Sequence, residues 1–413
     1  MNDEHKEIIL HRKTQQQKAV FISLLTVFII VLLVLAAILF LPDKTNAEIG
    51  TNSDSTSSSA DEDSSKAISE SEESVLGTES TLSFDESSLQ ETSEVSDDTS
   101  ESDELFHGWV INNLGYTYIY GDTGYEQCSA TGKTATRYAE TLNSLVAKIP
   151  GGVDVYSILA PTSVEFAEIP YEVYKSDADN FINANQKNVI SVINENLDER
   201  IKSINIYETL SSHKDEYLYF RTDINWTALA AYYAYSDFAA AAGFSPVRID
   251  DFNKETYENF LGRFHTATNK DCLSKTPDFI DYYLTDKNNT CDLTVYKSGI
   301  TYTSYSVSGN GVSGSANGYN VFLGMEAERY KITTGTSGGK LLVVSDTSAA
   351  PFVPFLVSHY SEIHYVNPNY YSGDISAYIS ENGIEEVLFM SYVTNANRQF
   401  YTNVLKELSG VSE

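Results

Sequence analysis

Leu341 to Tyr371 reads LLVVSDTSAAPFVPFLVSHYSEIHYVNPNYY. It opens on four apolar residues without alternation, the pattern of a strand covered on both faces. A sharp turn follows, and a helix is expected near Pro351 to Tyr360. Ile363 to Val366 then reads as a second strand. Strand, helix and strand in so short a span argue for a parallel pair. A side chain on the strand-to-helix turn faces a pocket, where helix N-terminal amides can hold an oxyanion.

The same alternation extends outward in both directions. Val153–Leu159 and Ile204–Tyr207 read as strands, and Ala178–Leu197 as a helix. Thr227–Ala242 is a strongly apolar helix that Gly243 ends. After the opening stretch come a helix around Ile375–Ile379, a strand at Glu386–Met390 and a closing helix at Ala396–Leu408. This order predicts an α/β fold with a parallel sheet covered on both faces. Residues 250–320 are rich in Gly, Ser, Thr, Asn and Tyr and show no helical period. They read as an irregular insertion with a small hairpin region.

Ligands of such folds sit at the carboxyl ends of the strands. Two stretches belong there: RTDINWTALAAYYAY at 221–235 and VVSDTSAAPFVPFLVSHY at 343–360. Asp223 also reads as an N-cap with Trp226 packed beneath it. Arg221 reads as either an ion-pair partner or a ligand contact. Ser163, in Pro161-Thr162-Ser163 after the first strand, lines the same cleft or is a plain turn residue. Among 29 tyrosines, Tyr370 and Tyr371 are the best candidates for stacking on sugars; core and strand filler is the ordinary use of any single one.

The other end of the chain is different in kind. Ala19–Leu41 reads AVFISLLTVFIIVLLVLAAILFL, without a charge. That is long enough to span a hydrocarbon core of about 30 Å. Lys6, Arg12, Lys13 and Lys18 precede it, and only Lys44 follows before Lys66. The basic flank predicts a cytoplasmic N-terminus and a single-pass anchor, with the main domain extracellular. A cleaved signal peptide is the alternative, and its apolar region is usually shorter. Of the net charge of −31, residues 51–104 carry −16, from 17 Asp/Glu against one Lys, with 24 Ser/Thr among them. Such a segment cannot bury enough apolar surface to offset its ordering entropy. The expected organisation is a cytoplasmic tail at 1–18, a transmembrane helix at 19–41, a disordered linker at 42–104 and a folded domain at 105–413. A net-negative domain argues against nucleic acid as a partner. Cys272 and Cys291 are near enough in sequence to pair, which would leave Cys128 over. No metal-ligand spacing is present, and neither a metal nor a cofactor is expected.

Five blocks occur in order: YFRTDINWTALAAYYAY at 219–235, FLG at 260–262, VFLG at 321–324, the opening stretch, and EEVLFMSY at 385–392. In this order they resemble the DHHW family of firmicute surface proteins, which is similar to the SGNH-like domain of alginate O-acetylation proteins. The resemblance covers about 110–408. It implies an SGNH-hydrolase-like three-layer sheet and an Asp, His, Ser triad in chain order. Asp223 falls on the motif's Asp and Trp226 on its Trp. Asn225 stands at the catalytic His, and Ile224 where another His is common. Thr347 stands at the nucleophile, in Ser345-Asp346-Thr347 where Lys-Asp-Ser is usual. Asn369 replaces an Arg in the block that ends at Tyr370.

These departures decide the functional expectation. An Asn amide takes no proton from a hydroxyl near neutral pH. Loss of a triad member costs orders of magnitude in rate. His213 or His265 could supply a base from elsewhere, and Ser348 is a displaced nucleophile in principle. The expectation is a degenerate triad (Asp223, Asn225, Thr347) in a site lined by Arg221, Trp226, Ser163, Asp346, Ser348, Asn369 and Tyr370. Such a domain would bind a cell-wall or capsular polysaccharide, or assist its O-acetylation beside a membrane-bound O-acyltransferase. An active O-acetyltransferase or esterase with an altered site is the alternative. A purely structural or adhesive surface protein is the third reading.

Overall fold

An apolar run without alternation needs two hydrophobic layers to cover it, and Leu341–Val344 has both. Leu341 and Val343 join one buried cluster, Leu342 and Val344 the other. The structure is a computed structural model. It describes residues 107–410, except 113, 171–172, 174–182, 286–289, 305, 310–314 and 325. The expected transmembrane helix at 19–41 and linker at 42–104 lie outside the described residues. Among those described, no helix is long and apolar enough to cross a membrane.

Thirteen strands are described: β1 (His107–Asn112), β2 (Gly115–Tyr120), β3 (Thr123–Glu126), β4 (Asp154–Ala160), β5 (Ile201–Ile204), β6 (Asn253–Phe260), β7 (Asp278–Leu284), β8 (Asp292–Lys297), β9 (Ile300–Ser304), β10 (Arg329–Thr333), β11 (Lys340–Ser345), β12 (Glu362–Val366) and β13 (Glu386–Tyr392). Eight of them form the central sheet, in the order β5-β4-β13-β11-β12-β10-β8-β9. The first five run parallel, as expected. β10, β8 and β9 do not: they extend the sheet as antiparallel strands. The sheet is therefore mixed, which corrects the expectation of a wholly parallel one. β8 and β9 come from the Gly- and Ser-rich region, where β6 and β7 also make a separate two-stranded sheet. That region also holds two short helices, Arg263–Thr268 and Asp271–Ser274, which its composition does not announce.

Four helices cover one face of the sheet: α1 (Gly132–Val146), α2 (Gln186–Glu195), α4 (Ile375–Asn382) and α5 (Gln399–Glu407). The other face carries α3 (Ala228–Ala242) and a 3₁₀ turn at Val353–Ser358. The alanines of α3 let its backbone approach closely, while Tyr235 and Phe238 fill the sheet's surface. Thr227, not Asp223, caps α3: its hydroxyl accepts from the Ala230 amide. Gly243 closes the helix at φ +84°. The segment expected to be one helix near Pro351–Tyr360 is two 3₁₀ turns instead, Thr347–Ala349 and Val353–Ser358. Pro351 and Pro354 lack the amide donors that a regular helix would need there. Likewise Tyr207 belongs to a helical turn, Tyr207–Ser212, and the strand ends at Ile204.

β1, β2 and β3 form a three-stranded antiparallel sheet. It leans on the first motif. The Gly124 amide donates to the Arg221 carbonyl at 2.8 Å. A Cβ at Gly124 would stand 2.7 Å from the Phe264 ring. None of the three cysteines is in a disulfide, so Cys272 and Cys291 do not pair; Cys128 and Cys291 are buried and Cys272 partly so.

Candidate functional site

β11, β12 and β13 all end at one edge of the sheet, so the residues that follow them meet. Asp346 and Thr347 leave β11, Asn367 and Asn369 leave β12, and Tyr392 is the last residue of β13. The loop before α3 brings Asp223 and Asn225 against them. The result is a chain of hydrogen bonds. Thr347 Oγ1 donates to Asn225 Oδ1 at 3.0 Å. Asn225 Nδ2 donates to Asp223 Oδ1 at 2.7 Å. The Asn225 amide also donates to that oxygen, and the Arg263 amide donates to Asp223 Oδ2 at 2.7 Å. Since an ionised carboxylate only accepts, Asp223 fixes which end of the Asn225 amide carries the NH₂.

The polarity matches a hydroxyl–imidazole–carboxylate relay: the middle group accepts from the hydroxyl and donates to the acid. The chemistry does not match. Asn225 holds the Thr347 proton in place but cannot take it. Its Oδ1 also faces the Tyr392 hydroxyl at 3.4 Å, and that hydroxyl accepts from the Trp226 amide at 3.0 Å. Burial pushes the Tyr392 phenol well above its ordinary value, so it stays protonated. Burial also pushes the Asp223 carboxyl up, against the opposing pull of the Arg263 amide and guanidinium.

Asp346 sets the turn that presents Thr347. Its Oδ1 accepts from the Ser348 amide at 2.9 Å. Its Oδ2 accepts from the Tyr392 amide at 3.1 Å and from Asn395 Nδ2 at 2.7 Å. Burial raises this carboxyl too, opposed by the Asn395 and Ser348 bonds. Gly262, from the FLG block, is explained by Asp223: a Cβ there would stand 2.3 Å from the Asp223 Cβ. Thr222 and Arg221 both bond Asp278, a buried acid on β7.

Two hollows open on Thr347. One holds about 270 Å³ and is lined by Thr347, Asn369, Tyr370, Tyr392 and Asn395 among others. The second, of about 350 Å³, reaches past Asp223 to Tyr319 and Lys297. They share Arg263, Glu326, Thr347 and Asn367 as walls. Arg263 pairs with Glu326, whose other oxygen accepts from the Tyr370 hydroxyl at 3.0 Å.

Ile224 also lines the first hollow, and the other residues singled out in the sequence lie elsewhere. Trp226 and Ser348 are fully buried, joined by a bond from Trp226 Nε1 to the Ser348 carbonyl at 2.9 Å. The Ser348 hydroxyl meets that of Ser345. Arg221 pairs with Asp278 and Asp122. Ser163 opens a short 3₁₀ turn after β4. Neither Arg221 nor Ser163 lines the two hollows.

No histidine among the described residues lines them either. His213 bonds Glu216 and stacks on Tyr233. His265 sits in the helix Arg263–Thr268. His359 bonds the Tyr235 hydroxyl, and His364 lies buried between Tyr378 and Glu362. Sequence reasoning missed Arg263, Glu326, Tyr392 and Asn395. Arg263 had a signal, since it directly follows the FLG block.

The family model described as DHHW protein matches residues 46–366. In fold the chain is similar to a DHHW family protein from Eubacterium siraeum, with a TM-score of 0.62 at 24% identity, over 72% of this chain and 96% of that one. It is also similar to PatB1 of Bacillus cereus, seen with a sulfonyl adduct, with a TM-score of 0.57 at 15% identity, over 70% and 98%. The O-acetyltransferase domain of AlgJ from Pseudomonas putida aligns over 73% and 99% at 11% identity, but with a TM-score of only 0.37, too low to support an argument. A comparison with curated proteins finds no match. At these identities the likeness establishes the fold and leaves function to the site.

Proposed function

This chain belongs to the DHHW family, and from that premise we propose that it is a non-catalytic, glycan-binding member held at the outer face of the cell membrane. The domain binds a cell-envelope polysaccharide in the cleft at Thr347, or presents it to a membrane-bound O-acyltransferase. One observation carries the reading: Asn225 occupies the link between the Asp223 carboxylate and the Thr347 hydroxyl. A hydroxyl with no base to receive its proton is a poor nucleophile. The polar amides of Asn367, Asn369 and Asn395 beside Tyr370 suit sugar hydroxyls. The charge-free run Ala19–Leu41 and its basic flank support the anchor and its orientation.

The test is turnover of p-nitrophenyl acetate by the purified full chain. The wild type should not exceed the buffer rate. Asn225→His with Thr347→Ser should raise it, and either change alone should do little, because nucleophile and base act as a unit. Robust wild-type turnover that Thr347→Ala abolishes would make the protein an enzyme and overturn the proposal.

A further inference from the structure

Among the described residues, six large hydrophobic side chains are exposed, and three of them, Tyr116, Tyr370 and Phe400, rim the hollow at Thr347. They come from β2, the loop after β12, and α5. Exposed aromatics gathered at one mouth mark a contact surface. Beside them the hollow is lined by the polar Thr347, Asn369 and Asn395 and by the apolar Leu114, Ile224 and Phe264.

A third hollow, of about 440 Å³, adjoins the first and shares no wall with the second. The two share Leu114, Tyr116, Glu126 and Arg398 as walls. Its own lining adds Gly115, Gln127, Ser129, Thr394 and Asn397, none of them charged. Glu126 and Arg398 form the sill between them. Glu126 bonds Arg398 at 2.5 Å and accepts from the Thr394 hydroxyl at 3.0 Å.

We propose that this third hollow is a second sugar subsite, and that the cleft takes a linear, uncharged glycan lying across Thr347 rather than a chain end or a small ester. The proposal rests on the glycan-binding reading above. Three hollows that share walls in sequence make a groove, and a groove fits a chain. Aromatic rings beside amides and hydroxyls match a pyranose, which offers a C–H face to the ring and hydroxyl edges to the polar groups. The charges choose the kind of chain. In the first and third hollows each Arg is paired, Arg263 with Glu326 and Arg398 with Glu126. The remaining charged group there, Asp346, is an acid held by hydrogen bonds. No unpaired cation faces these two hollows among the described residues, so a polyanionic chain gains nothing there. Lys297 stands at the far end of the second hollow, beyond Thr347.

The experiment is calorimetric titration of the full chain in detergent with β-1,4-linked N-acetylglucosamine oligomers of one to four sugars. A galacturonic acid tetramer serves as the acidic counterpart. Affinity should rise with length up to about three sugars and then level off, and the acidic tetramer should bind more weakly than the neutral one. Tyr116→Ala and Phe400→Ala remove exposed rings, and each should weaken the trimer by about tenfold, the scale of one stacking contact. Of the two rings only Tyr116 also lines the third hollow, so neutral oligomers that bind equally to wild type and Tyr116→Ala would remove the second subsite and leave glycan binding standing. Preference for the acidic tetramer would overturn the uncharged chain. Binding of no oligomer would overturn both this inference and the reading under it. Should both variants shift the oligomeric state without changing sugar affinity, the rim holds a second copy of the chain and the proposal fails.

Discussion

Replacing Asn225 with Leu, which has the same branched shape with bulkier methyl ends, cuts the buried chain at its middle. Asn225 is 1% exposed, so water does not replace what is lost. Asp223 loses the donor at 2.7 Å but keeps the Asn225 and Arg263 amides. Loss of one hydrogen bond to a buried charged group costs about 1.5–3 kcal/mol. Thr347 is only half-buried, so its hydroxyl can turn to water, and that loss adds under about 1 kcal/mol. With no cavity to add, the expected cost is about 2–3 kcal/mol. Urea unfolding followed by the fluorescence of the two tryptophans, Trp226 in the core and Trp109 on β1, measures it as a lower midpoint with unchanged slope. In an Asp223→Asn background the same substitution should cost only about 1 kcal/mol, because the lost bond is then neutral. A cost below about 0.5 kcal/mol in the wild-type background would mean that Asp223 does not depend on the amide, and the relay geometry would be refuted.

Gly262→Ala should destabilise by about 1–3 kcal/mol, since its Cβ would press on Asp223; an unchanged urea midpoint would contradict that contact. The carboxyls of Asp223, Asp346 and Glu126 are all raised by burial. A raised carboxyl binds its proton more tightly folded than unfolded, so stability falls as pH rises from the ordinary value, 3.8 for the aspartates and 4.5 for Glu126, through the folded one. Asp223→Asn should flatten that fall, and identical midpoint-against-pH curves for variant and wild type would contradict it. Ellman's reagent should find one readily accessible thiol, Cys272, in the folded protein and all three after unfolding; two thiols missing after unfolding without reductant would mean a disulfide.

The parts of the fold legible in the sequence are those with both faces covered. Leu341–Val344 and Val387–Met390 are continuous apolar runs, and each lies within a central parallel strand. The edge strand Ile201–Ile204 carries exposed Lys202 and Ser203 between buried ends, so its reading slipped along the chain toward Tyr207. β8 and β10 are antiparallel and half-covered, so they carry only a short alternation, and β9 at the sheet edge is exposed along most of its length with no buried face to mark it. The proximity of Asp223, Asn225 and Thr347 was legible because each belongs to a motif with a known place on a sheet. Tyr116, Glu126, Arg398 and Phe400 were not. Nothing local marks them, and they meet only because β1–β3 and α5, nearly 300 residues apart, flank the same sheet edge.

The most direct test of the central claim is covalent. Phenylmethylsulfonyl fluoride reacts with a hydroxyl only when a neighbouring base activates it. The full chain should show no gain of a sulfonyl group in its intact mass, while Asn225→His with Thr347→Ser should gain one, at residue 347. A sulfonyl group on Thr347 of the wild-type protein would show a nucleophile that works without a base at residue 225, and the non-catalytic account would be wrong.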